Sequence, residues 1–369
     1  MKYYVIAGEA SGDLHGSNLM LGINHLDPAA SFRCWGGDLM EEAGGEIVKH
    51  YRDLAFMGFI EVIKNLPVIL SNLKFCKTDI LNFRPDALIL IDYPGFNLRI
   101  AKWARSQGFK IIYYISPQVW AWKENRVKAI KKNVDKMLVI LPFEKSFYTE
   151  WKYAVEYVGH PLVKVIDKFL EEHVPDTEER VIALLPGSRK QEIMKKLPVM
   201  LEVTRSFPNE KFVVAKAPGQ QDSFYEAMLK TYPNVSSVRN ETYKLLAASK
   251  AALVTSGTAT LETALFGVPE VVCYKGSKIS YEIAKRLIKI KYISLVNLIM
   301  DKEIVKELIQ NDMTATNLVK ELRQLLEDPV RLSHIKADYA SLKNLLSEGG
   351  DASLNAAKSI VDMLAPKAS

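Results

Sequence analysis

Short apolar runs alternate with longer amphipathic segments along the first half of the chain. The runs have the length of strands, and the segments between them repeat their apolar residues with a helical period. Strands are predicted at residues 2–7, 87–91, 110–115 and 136–141. Because strands that alternate with helices are typical of βαβ units, the pattern favours a parallel sheet.

The same alternation restarts in the second half, after a charged stretch that predicts a domain hinge near residues 163–176. Only helices are predicted from residue 304 onward. The strands of this half are predicted at residues 181–185, 211–215, 251–254 and 270–274. The whole pattern predicts an α/β fold with two Rossmann-like, doubly wound domains that face each other across a cleft.

Composition and charge narrow the classes of protein. The chain has 369 residues, of which 48% are hydrophobic and 25% are charged, as in a soluble globular protein of two domains. The three cysteines form no C-x-x-C pair and the six histidines no H-x-x-x-H pair, so a reduced, cytosolic protein without a structural metal is expected. No signal peptide or transmembrane helix is predicted. The net charge of +6 favours an anionic partner, but the basic residues are too scattered to indicate a nucleic-acid-binding module.

The segment LLPGSR, residues 184–189, follows a predicted strand in the second half. Gly187 helps to end the strand, Ser188 offers a hydroxyl group and a backbone N–H, and Arg189 offers a planar guanidinium that can bind two phosphate oxygens. Ligands of open α/β sheets bind beyond the carboxyl ends of the strands, so phosphate binding is favoured. The alternative is an ordinary turn with a surface arginine.

The segment TSGTATLE, residues 255–262, follows another predicted strand. Ser256, Gly257 and Thr258 bring hydroxyl and N–H groups to the start of a helix, and Glu262 can accept hydrogen bonds from two ribose hydroxyls. The alternative is a simple helix cap, and both can hold at once. Two such strand ends in one domain indicate a nucleotide diphosphate.

The segment GEASGDLHG, residues 8–16, follows the first predicted strand and carries the polar residues Glu9, Ser11, Asp13 and His15. The chain lacks both G-x-G-x-x-G and a Walker loop, so dinucleotide and Walker-type cofactors are disfavoured. The glycines suit either a tight loop or close helix packing. Two interpretations of the polar groups remain open: they hold an acceptor hydroxyl, or Ser11 or Asp13 caps the following helix.

The segment LILIDYPGF, residues 88–96, reads as a buried strand that ends in a carboxylate. Because Asp92 lies at the mouth of an open sheet, it is expected to face the cleft and to abstract a proton as a general base. The alternative is that Asp92 caps the next helix.

Three further segments combine apolar residues with cations or tryptophan. Those at residues 56–75 and 283–300 each favour ordinary buried helices, but together with the net charge they favour peripheral contact with anionic lipid. The aromatic segment at residues 113–122 is interpreted as core packing, and Trp120 and Trp122 are given no chemical role.

Eight motifs in sequence order resemble the family of lipid-A-disaccharide synthases, which are glycosyltransferases of Gram-negative lipid A biosynthesis. They are GEASGD, IDYPGFN, ISPQVWAWK, LPFEK, GHP, LLPGSR, SGTATLE and YISLVNLI. The resemblance covers nearly the whole chain. It departs from the family pattern at Val296, where proline is usual, and at Tyr93 and Gly95, where members vary.

The resemblance implies an inverting glycosyltransferase of the GT-B type that uses no cofactor. The donor would be UDP-2,3-diacylglucosamine, the acceptor 2,3-diacylglucosamine 1-phosphate (lipid X), and the products a β-1′,6-linked disaccharide 1-phosphate and UDP. Residues 1–164 would bind the acceptor and residues 165–345 the donor, while residues 346–369 would pack on the first domain or on a partner subunit. A homodimer at the cytoplasmic face of the inner membrane is implied.

The resemblance also implies roles for individual residues. Asp92 would deprotonate the acceptor, with Glu9, Asp13 and His15 beside it. The acceptor and its acyl chains would contact Ser11, Asn97, Ser116 and Gln118. The UDP donor would be held by Gly187, Ser188, Arg189, Ser256, Gly257, Thr258, Glu262, Asn297 and Glu307.

Metal-dependent transferases of the GT-A type hold a diphosphate through a cation on a D-x-D motif, which this sequence lacks. Protein groups are therefore expected to stabilise the leaving UDP, and no metal is expected to be needed. Two alternatives stay open. One is an enzyme similar to UDP-GlcNAc 2-epimerase, and the other is a membrane-docked sensor that binds a UDP-sugar without turnover.

Overall fold

The computed structural model describes residues 1–54, 66–122, 124–173, 180–276 and 291–365. Contacts between Cα atoms divide the chain into two units, each built on one parallel sheet. The first unit contains Met1–Pro161 and Leu346–Ser369, and the second contains Leu162–Leu345.

The first sheet has seven strands in the spatial order β3-β2-β1-β4-β5-β6-β7, and its neighbouring strands run parallel. Its strands are β1 Lys2–Ala7, β2 Ser31–Gly36, β3 Gly45–His50, β4 Ala87–Ile91, β5 Lys110–Tyr114, β6 Lys136–Val139 and β7 Glu156–Tyr157. The strand order reverses between β1 and β4. The loops that follow these two strands therefore lie side by side at the carboxyl edge of the sheet.

Helices connect these strands, and a 3₁₀ turn follows β3 at Tyr51–Leu54. The helices are α1 Ala10–Leu26, α2 Asp38–Glu42, α3 Leu66–Phe83, α4 Pro94–Ser106, α5 Val119–Trp122, α6 Arg126–Asn133 and α7 Pro142–Glu150. The apolar strands β1 and β4 are buried along almost their whole length, which makes them the centre of the core.

The second sheet has six parallel strands in the order β10-β9-β8-β11-β12-β13, which repeats the topology of the first. Its strands are β8 Val181–Leu185, β9 Phe212–Lys216, β10 Val235–Arg239, β11 Ser249–Thr255, β12 Glu270–Tyr274 and β13 Lys306–Ile309. Here the order reverses between β8 and β11, so the loops after these strands are neighbours.

The remaining helices belong mostly to the second unit. They are α8 Pro161–Glu172, α9 Lys190–Thr204, α10 Asp222–Leu229, α11 Thr242–Ala247, α12 Thr258–Leu265, α13 Leu295–Met300, α14 Ala315–Glu327, α15 Pro329–Ser347 and α16 Ala352–Leu364. The last helix, α16, packs on α1 in the first unit. A Cβ atom on Gly22 would lie only 3.1 Å from Cβ of Ala357, so the glycine lets the two helices approach closely.

The prediction of an α/β fold with two parallel sheets is confirmed, and each predicted strand is present within a few residues of its expected bounds. Five strands were missed, namely β2, β3, β7, β10 and β13. The expectation that only helices follow residue 304 is wrong, because β13 pairs with β12. Most of these strands lie at or next to a sheet edge and mix polar with apolar residues, so they lack the continuous apolar run of a central strand.

The predicted hinge at residues 163–176 falls largely on α8, and residues 174–179 lie outside the described residues. The boundary between the two units lies between Pro161 and Leu162. Among the helices that the structure describes, none is long and apolar enough to span a bilayer.

Candidate functional site

The chain turns sharply where β4 ends. Asp92 and Tyr93 both have left-handed backbone conformations, with φ of 42° and 47°, and α4 begins at Pro94 directly afterwards. Consecutive left-handed residues other than glycine are uncommon and strained, so the surrounding contacts must hold them. The turn brings Asp92 to the carboxyl edge of the first sheet, where the residue as a whole is exposed although protein surrounds its carboxyl group.

The buried side chain of Asn97 stabilises this turn through hydrogen bonds to its backbone. Its Nδ2 atom lies 2.8 Å from the carbonyl oxygen of Asp92 and 3.2 Å from that of Ile91, and the Tyr113 hydroxyl also donates to the Asp92 carbonyl. Asn97 is 0% exposed, and its expected contact with the acceptor stays a prediction. Its amide binds backbone and fixes the position of Asp92.

Glu9 lies close enough to Asp92 to affect its ionisation. A Cβ atom on Gly8 would lie 2.4 Å from Cγ of Tyr93, so the loop after β1 can approach the turn only with glycine there. Dense protein around the Asp92 carboxyl, followed by the negative charge of Glu9, raises the pKa of Asp92 to about 7, although the backbone N–H of Tyr93 opposes the shift. A carboxyl group with this pKa is suited to accept a proton near neutral pH.

Asp13 has a structural role. Its carboxylate accepts hydrogen bonds from the backbone N–H groups of Gly37 at 2.7 Å, Met40 at 3.1 Å and Leu39 at 3.2 Å. It therefore caps α2, a helix other than its own, so the expected cap of α1 is wrong for this residue, and its catalytic role stays a prediction. The N-cap of α1 is Glu9, which makes no side-chain capping bond.

The other polar residues of the first loop differ in exposure. Ser11 is exposed in the first turn of α1, where it remains available to an acceptor. His15 is only 6% exposed, and burial lowers its pKa to about 4. His15 is thus a neutral, buried side chain at neutral pH and offers almost no surface to a substrate.

Ser116 and Gln118 differ in burial. Ser116 is buried. Its Oγ atom donates to the carbonyl of Pro117 and lies 2.7 Å from the Tyr148 hydroxyl oxygen. Its contact with the acceptor stays a prediction. Gln118 is exposed. Beside Ser116 the sequence interpretation missed Glu144, which is buried, accepts a hydrogen bond from Trp120 and has its pKa raised to about 7 by burial.

In the second unit the loops after β8 and β11 meet. Leu185 pairs with Val254 at the ends of these strands. Gly187 has φ of +109°, a conformation that favours glycine, and a Cβ atom there would lie 3.4 Å from Cγ2 of Thr255, in ordinary contact with the end of β11. The two segments that were predicted to bind phosphate are therefore brought together.

Ser188 and Arg189 follow Gly187 and are exposed. Arg189 is the N-cap residue of α9 and makes no side-chain capping bond. Its side chain is 54% exposed, and its Nη1 atom lies 3.4 Å from Oε1 of Glu192. The start of α9 thus combines a helix N-terminus with an accessible guanidinium, which is a suitable arrangement for an anion.

The loop after β11 forms the second half of this arrangement. Gly257 is the N-cap residue of α12 with φ of 146°, and Gly257 and Thr258 are both exposed. Ser256 is half-buried, and its hydroxyl donates to the carbonyl of Ile293 at 2.9 Å. Backbone N–H groups at the start of α12 and the Thr258 hydroxyl are therefore the groups most open to a ligand.

Glu262 lies one turn into α12 and accepts a hydrogen bond of 2.9 Å from the Tyr243 hydroxyl. Burial raises the pKa of Glu262, and the bond from Tyr243 opposes this. Tyr243 also lines a cavity of about 470 Å³ together with Phe169 and other residues of the segment 239–244. The sequence interpretation missed this cavity, for which the only signal was an aromatic residue shortly after β10.

Asn297 and Glu307 are internal supports. Asn297 is 0% exposed, and its amide binds the backbone of Ile304 and Val305 as well as Glu307. The Glu307 carboxylate accepts the backbone N–H groups of Ile293 and Ser294. Their polar atoms hold the segment that contacts Ser256, and the expectation that these side chains bind UDP stays a prediction.

The sequence interpretation also missed a buried lysine beside the loops that follow β8 and β11. Lys196 donates a hydrogen bond from Nζ to Oγ1 of Thr255, and burial lowers its pKa while Glu192 opposes the shift. It follows Ile193 by three residues and precedes Met200 by four, so the helical period could have predicted that it faces inward.

Within the described ranges, no group of three or more His, Cys, Asp and Glu side chains is arranged to hold a metal ion.

Two doubly wound units, each built on one parallel sheet, define an architecture that solved structures of a glycosyltransferase and of UDP-GlcNAc 2-epimerases share. The glycotransferase of kitacinnamycin has a TM-score of 0.68 and 15% identity, covering 99% of each chain. UDP-GlcNAc 2-epimerase from Neisseria meningitidis, solved with UDP-GlcNAc bound, has a TM-score of 0.65 and 14% identity over 99% of each chain. At these identities the similarity shows the fold alone.

Sequence comparison is more specific. The model of the family described as lipid-A-disaccharide synthetase matches residues 3–361. The lipid-A-disaccharide synthase of Geobacter sulfurreducens is 39% identical over 360 residues, covering 95% of this chain and 94% of the relative. That of Alcanivorax borkumensis is 36% identical over 374 residues, covering 98% and 97%. The chain therefore belongs to the lipid-A-disaccharide synthetase family, which confirms the predicted resemblance.

Proposed function

We propose that this chain is a lipid-A-disaccharide synthase. It transfers the acylated sugar of UDP-2,3-diacylglucosamine to a hydroxyl of lipid X and releases UDP and a β-1′,6-linked disaccharide 1-phosphate. The observation that carries the proposal is membership of the family over residues 3–361. The chemistry of the two sheet edges supports it, since one offers a candidate base and the other a candidate diphosphate site.

The donor's diphosphate binds at the loops after β8 and β11. The exposed Arg189 guanidinium and the N-termini of α9 and α12 face the phosphate oxygens. Gly187, Ser188, Gly257 and Thr258 supply close-approaching backbone and hydroxyl groups, and Ser256 contributes mainly by holding its loop. These groups stabilise the negative charge that develops on the leaving UDP, so no step depends on a divalent cation.

The uridine lies beside Glu262 and Tyr243. The Glu262 carboxylate retains one oxygen beyond its bond from Tyr243 and accepts hydrogen bonds from the ribose hydroxyls. The cavity formed by Phe169 and the segment 239–244 offers aromatic surface to the base.

Asp92 is the general base. Its carboxylate removes the proton from the acceptor hydroxyl while that oxygen forms a bond to the anomeric carbon, and the bond from this carbon to the UDP oxygen breaks. Attack opposite the leaving group inverts the configuration in a single displacement. The pKa of about 7 keeps a substantial part of Asp92 ionised at neutral pH and makes it a stronger base than an ordinary aspartate.

The acceptor and the acyl chains bind near the half-buried Glu9 and the exposed residues Ser11 and Gln118. Helix α3 exposes the apolar residues Val68, Leu70, Phe75 and Leu81. Val68 and Phe75 share one side of this helix, and Leu70 and Leu81 share the other. We propose that α3 contacts the anionic cytoplasmic surface of the inner membrane. Residues 56–65 and 283–290 of the two apolar-basic segments lie outside the described residues. A homodimer is proposed from the family resemblance alone.

The decisive experiment incubates the purified protein with UDP-2,3-diacylglucosamine and lipid X in the presence of EDTA. We expect UDP and a tetraacyl disaccharide phosphate, detected by mass spectrometry. UDP binding without product would indicate a sensor, and conversion of UDP-GlcNAc alone would indicate an epimerase. Activity abolished by EDTA and restored by magnesium would contradict the proposed stabilisation of UDP by protein groups.

A further inference from the structure

Lys196 is an unusual residue for the inside of a protein. Its side chain is 4% exposed, although lysine normally keeps its ammonium group in water. It lies on the inward face of α9 with Ile193, Leu197 and Met200, all of which are buried. These apolar neighbours cannot stabilise a buried ammonium group, so its stabilisation must come from polar partners.

The ammonium group of Lys196 connects the two loops of the proposed diphosphate site. Its Nζ atom donates to Oγ1 of Thr255, the last residue of β11. It also lies 3.8 Å from Oε2 of Glu192 in the first turn of α9. A Cβ atom on Gly187 would lie 2.8 Å from the same Glu192 oxygen, so this carboxylate lies directly beside the loop after β8.

Glu192 is shared between two cations. Its Oε1 atom lies 3.4 Å from Nη1 of Arg189, and its Oε2 atom faces Lys196. The charged cluster of Arg189, Glu192 and Lys196 therefore has a net charge of +1. Without Lys196 the carboxylate would balance Arg189 alone, and the cluster would face an incoming diphosphate with no net charge.

We propose that Lys196 is a positioning residue for the donor's diphosphate, which neutralises Glu192 and anchors Thr255 so that Arg189 and the loop amides meet the phosphates with net positive charge. This inference rests on the proposed donor site. Lys196 itself touches protein groups and acts through them. Its effect should therefore concern the diphosphate and leave recognition of the nucleoside unchanged.

The test measures UDP binding by calorimetry and uridine binding by ligand-observed NMR, with thermal melting of each variant. For Lys196→Met we expect UDP affinity to fall about tenfold or more, from the loss of one charge near the phosphates, and uridine affinity to stay within about twofold. The matched control is Lys195→Met, which removes the same charge from an exposed neighbour on α9 and should have little effect because solvent screens it.

A second substitution separates charge balance from packing. The double variant Lys196→Met with Glu192→Gln restores a net charge of +1 through Arg189, so most of the lost UDP affinity should return. Glu192→Gln alone keeps the lysine and should bind UDP at least as tightly as the unaltered protein. Because Glu192→Gln keeps Lys196, its UDP affinity tests the charge balance of the cluster even if Lys196→Met fails to fold.

The outcomes distinguish the inference from the proposed function. If the unaltered protein binds UDP no more tightly than uridine, the diphosphate site itself is wrong. If UDP binds well but Lys196→Met binds it equally well, only the inference fails. Equal losses for UDP and uridine, no recovery in the double variant, or weaker UDP binding in Glu192→Gln would each overturn it.

Discussion

The carboxyl edge of the first sheet presents Asp92 with Glu9 beside it, whereas the carboxyl edge of the second sheet presents Arg189 above a buried lysine. Both edges arise from the same strand order, and both lie where that order reverses. The topology therefore determines where the loops come together, and the residues in the loops determine the chemistry. At the first edge, burial and then the neighbouring Glu9 carboxylate raise the pKa of Asp92 and favour proton abstraction. At the second edge, cations and helix N-termini favour phosphate.

Substitution of Asp92 should produce the largest effect and would separate the roles of the two edges. For Asp92→Asn we expect the rate of disaccharide formation to fall by about 10²- to 10⁴-fold, because the base is lost, and UDP affinity to remain unchanged. Asparagine tolerates a left-handed conformation, so the turn should be preserved. A product assay and calorimetry check this, and a near-normal rate would remove Asp92 from its proposed role.

Arg189→Ala tests the carboxyl edge of the second sheet. We expect UDP affinity to fall roughly ten- to a hundredfold, since hydrogen bonds to charged groups contribute about 1.5–3 kcal/mol. Arg205→Ala is a matched control at the other end of α9, where the arginine is also exposed. Equal UDP affinity in the two variants would mean that the cationic edge does not hold the diphosphate.

Glu270 is another carboxyl group with a raised pKa, and it lies at the amino edge of the second sheet. It is the first residue of β12, it is buried, and among the described residues neither carboxylate oxygen has a hydrogen-bond partner. Burial and then the charge of Glu307 raise its pKa well above the ordinary value. The unfolded chain therefore loses this proton at a lower pH than the folded protein does, so Glu270 reduces stability as the pH rises above about 4.5.

For Glu270→Gln we expect the gain in unfolding free energy over the unaltered protein to grow with pH. The growth should be about 1.4 kcal/mol per pH unit while the folded carboxyl stays protonated. Urea unfolding at several pH values between about 5 and 8 measures it, with turnover as the control that should stay unchanged. A difference that does not vary with pH would show that Glu270 is ionised in the folded protein.

Glu9→Gln should give the smallest effect. In the unaltered protein kcat/KM should fall as the pH falls below about 7, because Asp92 becomes protonated. Removing the Glu9 charge lowers the pKa of Asp92, so the acidic limb of the pH profile should move to lower pH and relative activity at pH 6 should increase. Rate profiles of both proteins check this, and a shift to higher pH would contradict the pairing of the two carboxyl groups.

Much of this architecture follows from the apolar pattern, because central parallel strands are buried on both faces. Their ends then locate Asp92, Gly187 and Gly257 at loops, which is why these residues could be found from sequence. Strands such as β10 and β13 could not be found from sequence, because an edge strand buries less surface and tolerates polar residues.

Side-chain direction was harder to predict than position. Asn97 and Asn297 lie close to the loops of interest, yet both amides bind backbone from inside the protein. Asp13 likewise lies in the expected segment but caps α2. A polar residue near a strand end can face a ligand or satisfy buried amides, and only the packing of other elements decides between these roles.

The packing of α16 on α1 has a consequence for how the protein is made. The face of α1 around Gly22 is covered by a helix that the ribosome synthesises only after the whole second unit. Until then the growing chain carries an uncovered apolar surface, which is a hazard for aggregation during synthesis. Removal of α16 should accordingly harm the solubility of the first unit, although the whole second unit separates α1 from α16 in the sequence.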